Sequence, residues 1–186
     1  YLGLSYDETF GHTALDIDDN IISINSFSKY FNMTGWRLGW MVVPEALVPV
    51  IERLAQNLFI CASTVSQHAA LACFEPESIA EYERRRAEFK ARRDYFIPAL
   101  QALGFDIPVQ PDGAFYAWAD CSRLCDKLGV QGSWDFALAV MQRAHIAITP
   151  GRDFGSCEAG NFVRFSTANS MEQLQAAIAR LRQLLA

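Results

Sequence analysis

No stretch of this chain approaches the ~20 consecutive apolar residues that a membrane-spanning helix needs, although 51% of its 186 residues are hydrophobic. Positive charge is not in excess either: 16 lysines and arginines stand against 21 aspartates and glutamates, for a net charge of −5. That balance excludes the basic field with which nucleic-acid-binding modules hold a phosphate backbone. The five cysteines, Cys61, Cys73, Cys121, Cys125 and Cys157, contain no Cys-x-x-Cys pair. An odd set without that pattern reads as reduced thiols in a cytosolic protein. Cys121, Cys125 and His145 fit no zinc spacing, so no metal is expected. Residues 1–7 lack the basic start and small-residue cleavage site of a secretory leader. Repeats and low-complexity linkers are missing as well. What is left is an ordinary globular balance with room for one large domain or two small ones.

The most informative stretch is Ser23-Ile24-Asn25-Ser26-Phe27-Ser28-Lys29, followed by Thr34-Gly35-Trp36-Arg37-Leu38-Gly39. A lysine directly after a short apolar strand and two serines, with a glycine-flanked arginine eight residues on, suits an aldehyde cofactor that carries a phosphate. Lys29 can condense with the aldehyde. Ser26 and Ser28 offer hydroxyl donors to phosphate oxygens, and Arg37 offers a rigid fork of donors to the same dianion. Gly35 and Gly39 let the backbone approach a bulky ligand. Placed at a strand end, the set suits an open α/β sheet, whose ligands sit beyond the carboxyl ends of the strands.

Ser-x-x-Lys followed by Gly-x-Arg-x-Gly resembles the lysine motif of the class I and II aminotransferases, and every position of that pattern is filled here. The resemblance implies pyridoxal 5′-phosphate as cofactor, Lys29 as its covalent anchor, and Ser26, Ser28 and Arg37 around its phosphate. It also implies a cytoplasmic homodimer at full length, with amino acids and 2-keto acids as substrates. The implied fold is α/β: the C-terminal part of a fold type I transferase, with the end of a mainly parallel sheet and a small α+β domain. Tyr1 matches a family tyrosine that bonds the cofactor's phenolic oxygen. The family's motifs begin here in mid-order, so the chain is expected to be the C-terminal half of a longer enzyme.

Periodicity divides the rest. Residues 1–6 read as a strand end, 18–20 as a turn, and 21–24 and 36–43 as strands. A helical stripe of Leu47, Ile51, Leu54 and Leu58 runs through 45–59, with Pro49 blurring its first turn. Ser63 or Thr64 is expected to cap a second helix running to about Phe74. The longest periodic segment, 79–103, carries six basic residues interleaved with Glu81, Glu83 and Glu88, and reads as a solvated helix with Glu81–Arg85 and Glu88–Arg92 pairs. Beyond Gly104, short strands over 105–109, 115–119, 146–149 and 162–166 alternate with helices. One helix is capped by Ser133, with Phe136, Val140 and Met141 inward. Another follows the Ser170 capping box and carries Leu174, Ala177, Ile178, Leu181 and Leu185. The expected division is 1–77 for the end of the large cofactor domain and 78–186 for the bridging helix and small domain.

Arg164 lies in Asn161-Phe162-Val163-Arg164-Phe165-Ser166, a charge among strand-forming apolar residues whose nearest acid in sequence is Glu158. A buried arginine needs an anion. The family resemblance supplies one: after a Pro-Gly-x-x-Phe-Gly turn, here 150–155, its arginine grips the substrate's α-carboxylate. The expected activity is therefore transamination. Two alternatives stay open at this point: a lyase of the same fold acting by elimination, and a folded piece without catalysis.

Overall fold

The computed structural model describes residues 1–6 and 12–186. The chain divides into two compact units, Tyr1–Ala87 and Glu88–Ala186. The division falls inside one continuous helix.

In the first unit the opening residues form a 3-10 turn, Leu2–Leu4, rather than the expected strand end. The 18–20 turn is present, with the Asn20 amide donating to Asp18 Oδ1 at 2.8 Å. Strand β1 (Ser23–Ser26) pairs antiparallel with β2 (Gly39–Val42), placing Asn25 opposite Trp40 and Ser26 opposite Gly39. All strand pairs among the described residues are antiparallel. An antiparallel pair is a common component of mixed α/β sheets. Glycine is required at 39, because a Cβ there would stand 2.6 Å from the Asn25 carbonyl oxygen. Helix α1 (Val48–Leu58) starts after a 3-10 turn at Glu45–Leu47, and its proline falls in the first turn, where no amide bond is lost. Ser63 caps α2 (Thr64–Leu71), accepting the Ser66 amide, and a 3-10 turn carries the chain to Phe74. The long helix α3 (Pro76–Ala102) follows.

The core of this unit is small: Phe27, Met33, Ala70 and Cys73 are buried, with Phe31, Leu38 and Tyr82 packed on them. Phe27 also contacts the Trp40 and Phe74 rings, at centroid distances of 4.9 and 6.1 Å. The α1 stripe is where the structure departs from expectation. Leu54 and Leu58 are 52% and 77% exposed, and no residue of α1 is buried. Ile24, on the strand read as apolar, is exposed too.

The second unit holds the larger core. Strands β3 (Tyr116–Asp120), β4 (Thr149–Pro150) and β5 (Phe162–Ser166) form an antiparallel sheet in the order β3-β5-β4. Helices α4 (Ser122–Leu128), α5 (Gly132–Ala144) and α6 (Met171–Leu185) complete it. Phe96, Ile97, Leu100, Ala117, Phe136, Val140, Val163, Ile178 and Leu181 lie in one buried cluster. Ser170 caps α6 as expected, accepting the Gln173 amide at 3.4 Å. Four details differ from expectation. The strand expected over 146–149 is reduced to the two-residue β4, Thr149–Pro150. Residues 105–109 form only an isolated bridge, Asp106 with Asp120, since Pro108 has no amide to extend a ladder. Ser133 does not cap α5; it is buried inside the helix and its hydroxyl donates to the Ala159 carbonyl at 3.3 Å. Met141 is exposed, one position round the helix from the buried Val140.

Candidate active site

Lys29 sits in the turn that leaves β1, and three backbone bonds shape that turn. The Asn32 amide donates to the Lys29 carbonyl at 2.9 Å, Met33 donates to Phe27 at 2.9 Å, and Phe27 donates to Leu38 at 3.1 Å. Ser26 Oγ accepts the Ser28 amide at 3.0 Å, which leaves the Ser26 hydroxyl proton available to a ligand. Thr34 then ties the turn to the arginine. Its hydroxyl donates to the Ser28 carbonyl at 2.6 Å, and its own carbonyl accepts Arg37 Nη1 at 2.8 Å. Ser26, Ser28, Lys29 and Arg37 are thus carried on one hydrogen-bonded stretch of backbone. Arg37 holds φ at 52°, a left-handed conformation that is uncommon for a residue with a Cβ. Among the described residues its Nη1 is the guanidinium nitrogen with a hydrogen-bond acceptor, and the residue is exposed.

Tyr1 reaches the same place. Its ring centroid lies 5.3 Å from Lys29 Nζ. Arg37 also lines an open pocket of about 670 Å³ with Gly35, Gly39, Cys61, Ser63 and Ser66, which Ser26, Ser28 and Lys29 do not line. The buried Ser66 hydroxyl donates to the Trp36 carbonyl at 2.8 Å and fixes the segment that bears Arg37. The set fits a phosphate-bearing aldehyde: an amine, exposed hydroxyl and guanidinium donors, and glycines beside them.

Residues that sequence reading passed over support the turn. Tyr30 Oη donates to Glu83 Oε1 at 2.6 Å. Burial, together with the bond to the Glu83 carboxylate, pushes the Tyr30 phenol up to about 12. The same bond, with help from Arg86, holds Glu83 below its ordinary value. Glu83 lies 53 residues from Tyr30, a separation that no local pattern reveals.

Arg164 belongs to the second unit and is half-buried on β5. Its guanidinium carbon lies 4.4 Å from the ring centroid of Tyr116 and 4.4 Å from that of Phe154. Trp118 stands opposite Arg164 in the β3–β5 register, which places Tyr116 at the diagonal position within ring reach. Phe154 comes from the 3-10 turn Gly151–Phe154. That turn packs so closely that a Cβ on Gly151 would stand 2.3 Å from the Ala159 carbonyl oxygen. Among the described residues no carboxylate or hydrogen-bond acceptor meets the Arg164 side chain. Two aromatic rings lie against the guanidinium, and its N–H groups suit a planar carboxylate. Cys121 and Cys125 are buried, and burial pushes both thiols above their ordinary values. Among the described residues no group of three or more His, Cys, Asp or Glu side chains is placed to hold a metal ion. No helix among them is long and apolar enough to cross a membrane.

The sequence profile of the family described as "Aminotransferase class I and II" matches residues 1–181. The chain is 37% identical over 162 residues to a valine–pyruvate aminotransferase of Mycobacterium tuberculosis, covering 87% of this chain and 40% of that protein. It is 35% identical over 188 residues to a (5-formylfuran-3-yl)methyl phosphate transaminase of Methanocaldococcus jannaschii, covering 100% of this chain and 48% of that one. Its fold resembles the crystal structure of an aminotransferase from Mycobacterium tuberculosis, with a TM-score of 0.91 and 36% identity over 100% of this chain and 47% of that chain. The chain spans about half the length of the curated relatives it matches.

Proposed function

This chain belongs to the class I and II aminotransferases, and from that premise we propose that it carries the working residues of an enzyme that moves an amino group between an amino acid and a 2-keto acid, with pyridoxal 5′-phosphate as cofactor. The observation that carries this reading is the hydrogen-bonded turn after β1, which presents Lys29, Ser26 and Arg37 on one short stretch of backbone. The cofactor, when bound, supplies an electron sink for negative charge at the substrate's α-carbon.

Each residue then has a role its chemistry allows. Lys29 Nζ anchors the cofactor at rest. As a free amine, Lys29 Nζ would serve as the base that takes and holds the substrate's α-proton. Ser26 and Arg37 would donate to the phosphate, with Ser28 beside them. Tyr1 offers a phenolic hydroxyl next to Lys29. Arg164 would take the substrate α-carboxylate in a two-bond grip. The family resemblance extends this reading to a homodimer working in the cytoplasm.

The test uses protein of the relatives' full length that contains this chain. Keto acid should form from an amino-acid panel, with a visible cofactor absorbance that Lys29→Ala abolishes together with turnover. Release of ammonia or a thiol in place of amino transfer would identify a same-fold lyase and overturn the proposal.

A further inference from the structure

Two separate segments meet at Lys29, and both are tied to the same two residues of α3. The first is the lysine's own turn. Tyr30, its immediate neighbour, donates to Glu83 Oε1 at 2.6 Å. The second is the opening segment that brings Tyr1 to within 5.3 Å of Lys29 Nζ. Arg86 Nη1 donates to the Ser5 carbonyl of that segment at 3.0 Å. Glu83 and Arg86 are themselves joined: Arg86 Nε donates to Glu83 Oε2 at 2.8 Å, and Nη2 donates to the same oxygen. The two segments also touch directly. Gly3 lies against the Tyr30 ring so closely that a Cβ on it would stand 2.4 Å from Tyr30 Cγ. Tyr1 is held to that glycine by the 3-10 turn, whose Leu4 amide donates to the Tyr1 carbonyl at 2.7 Å.

The result is a closed circuit through Lys29, Tyr30, Glu83, Arg86, Ser5, Gly3 and Tyr1. All four polar members other than Lys29 and Tyr1 are half-buried, and their bonds run between groups of fixed geometry. The Arg86–Glu83 contact is made through two guanidinium nitrogens, which restricts rotation of both side chains. Glu81, on the same helix, is committed to Arg84 and Arg85.

We propose that Glu83 and Arg86 are positioning residues for Lys29, fixing from one turn of α3 both the loop that carries the amine and the segment that carries Tyr1 beside it. The proposal rests on the reading of Lys29 as the reactive lysine for its purpose, while its test measures only the placement of Lys29 and needs no cofactor.

The test uses the 186-residue chain. Hydrogen exchange is followed at the amides of residues 3–6 and 28–33, and Lys29 acylation by a small amine-selective reagent is quantified by mass spectrometry. Glu83→Ala removes the acceptor of Tyr30 and the carboxylate that orients Arg86, at a site where alanine favours the helix. It should speed exchange in both segments by about tenfold or more and change the Lys29 acylation rate at least threefold. Glu83→Gln returns an acceptor to Tyr30 and should restore slow exchange in 28–33. Arg86→Ala should loosen residues 3–6 first, and Tyr30→Phe residues 28–33 first. Glu81→Ala, the control on the same helix, should leave both segments and Lys29 within twofold of the parent. Unchanged exchange and acylation in Glu83→Ala and Arg86→Ala would overturn the proposal, as would equal effects from Glu81→Ala. If Glu83→Ala loses its helical circular dichroism, Tyr30→Phe, which deletes a single oxygen, decides: no effect on residues 28–33 or on Lys29 acylation refutes the proposal. A Lys29 that is well placed by these measures but carries no transaminase activity at full length would count against the functional reading alone.

Discussion

At the residue scale the two arginines separate by what holds them. Arg37 is fixed through its backbone and one nitrogen, with Thr34 as the link. Arg164 is held by the rings of Tyr116 and Phe154. A phosphate and a carboxylate ask different things of a guanidinium. The phosphate takes donors from several directions, while the carboxylate needs one planar edge in a set orientation. In protein of the family's full length, Arg164→Lys keeps the charge and loses both the fork and the stacked plane. It is expected to weaken amino-acid binding by about tenfold to a hundredfold, the range of a charge-assisted hydrogen bond, with the cofactor absorbance unchanged. Steady-state kinetics beside an absorbance titration checks this, and equal loss of cofactor would make Arg164 structural. Arg37→Ala should show the reverse order, with cofactor affinity falling before amino-acid affinity.

At the element scale, α3 is stabilised by carboxylates that must stay ionised. Bonds from Arg84 and Arg85 bring Glu81 down to about 2. Tyr30 and Arg86 lower Glu83, and Lys90 and Arg93 lower Asp94 against the opposing effect of its burial. A carboxylate whose native value is depressed contributes stability above its unfolded value, and that contribution is lost as pH falls through the native value. Acidification from about pH 4.5 towards 2 should therefore loosen α3, read as falling helical circular dichroism, and Glu83→Gln should flatten part of that slope. Tyr30 works in the other direction. Its raised phenol contributes fully below pH ~10, and the contribution fades as pH rises through about 12. Two apolar stripes make a second contrast. Leu181 of α6 is fully buried, so Leu181→Ala should cost about 2–5 kcal/mol. Leu54 of α1 occupies an equivalent stripe but is half-exposed, and Leu54→Ala should shift the stability of this chain by less than about 0.5 kcal/mol. Urea titration of the two variants decides between them.

At the scale of the whole molecule the two units differ in how completely they bury themselves. The second unit closes around Phe136, Leu181 and Val163. The first leaves Ile24, Trp40, Met41, Val50, Leu58, Phe59 and Ile60 exposed. Apolar surface on that scale, beside a two-stranded sheet, favours association. The 186-residue chain should sediment as oligomers whose size grows with concentration, and a sharp monomer at every concentration would contradict this. The same chain spans about half of its relatives' length, and its Ser26 and Arg37 donors are solvent-exposed. It should therefore bind pyridoxal phosphate weakly and turn over no amino acid by itself. Sustained turnover by these residues alone would contradict the proposed division of roles.

The residue order by itself determined which side chains the lysine turn carries, because Ser26, Ser28, Lys29 and Arg37 lie within twelve positions. It also determined the helices at 48–58, 64–71, 76–102 and 171–185 to within a few residues, since an apolar period of 3.6 and a serine cap are local properties. The charge of Arg164 inside a strand was legible for the same reason. Only the tertiary structure decided what each face meets. Periodicity marks a stripe as apolar without saying whether anything covers it, which is why the α1 stripe proved exposed and the α6 stripe buried. Nor can spacing pair Tyr30 with Glu83 or set Phe154 against Arg164, because those contacts join segments far apart in sequence. Ser133 shows the same limit from the other side: a residue type suited to capping was taken inside the helix by a carbonyl at Ala159, a partner 26 residues away.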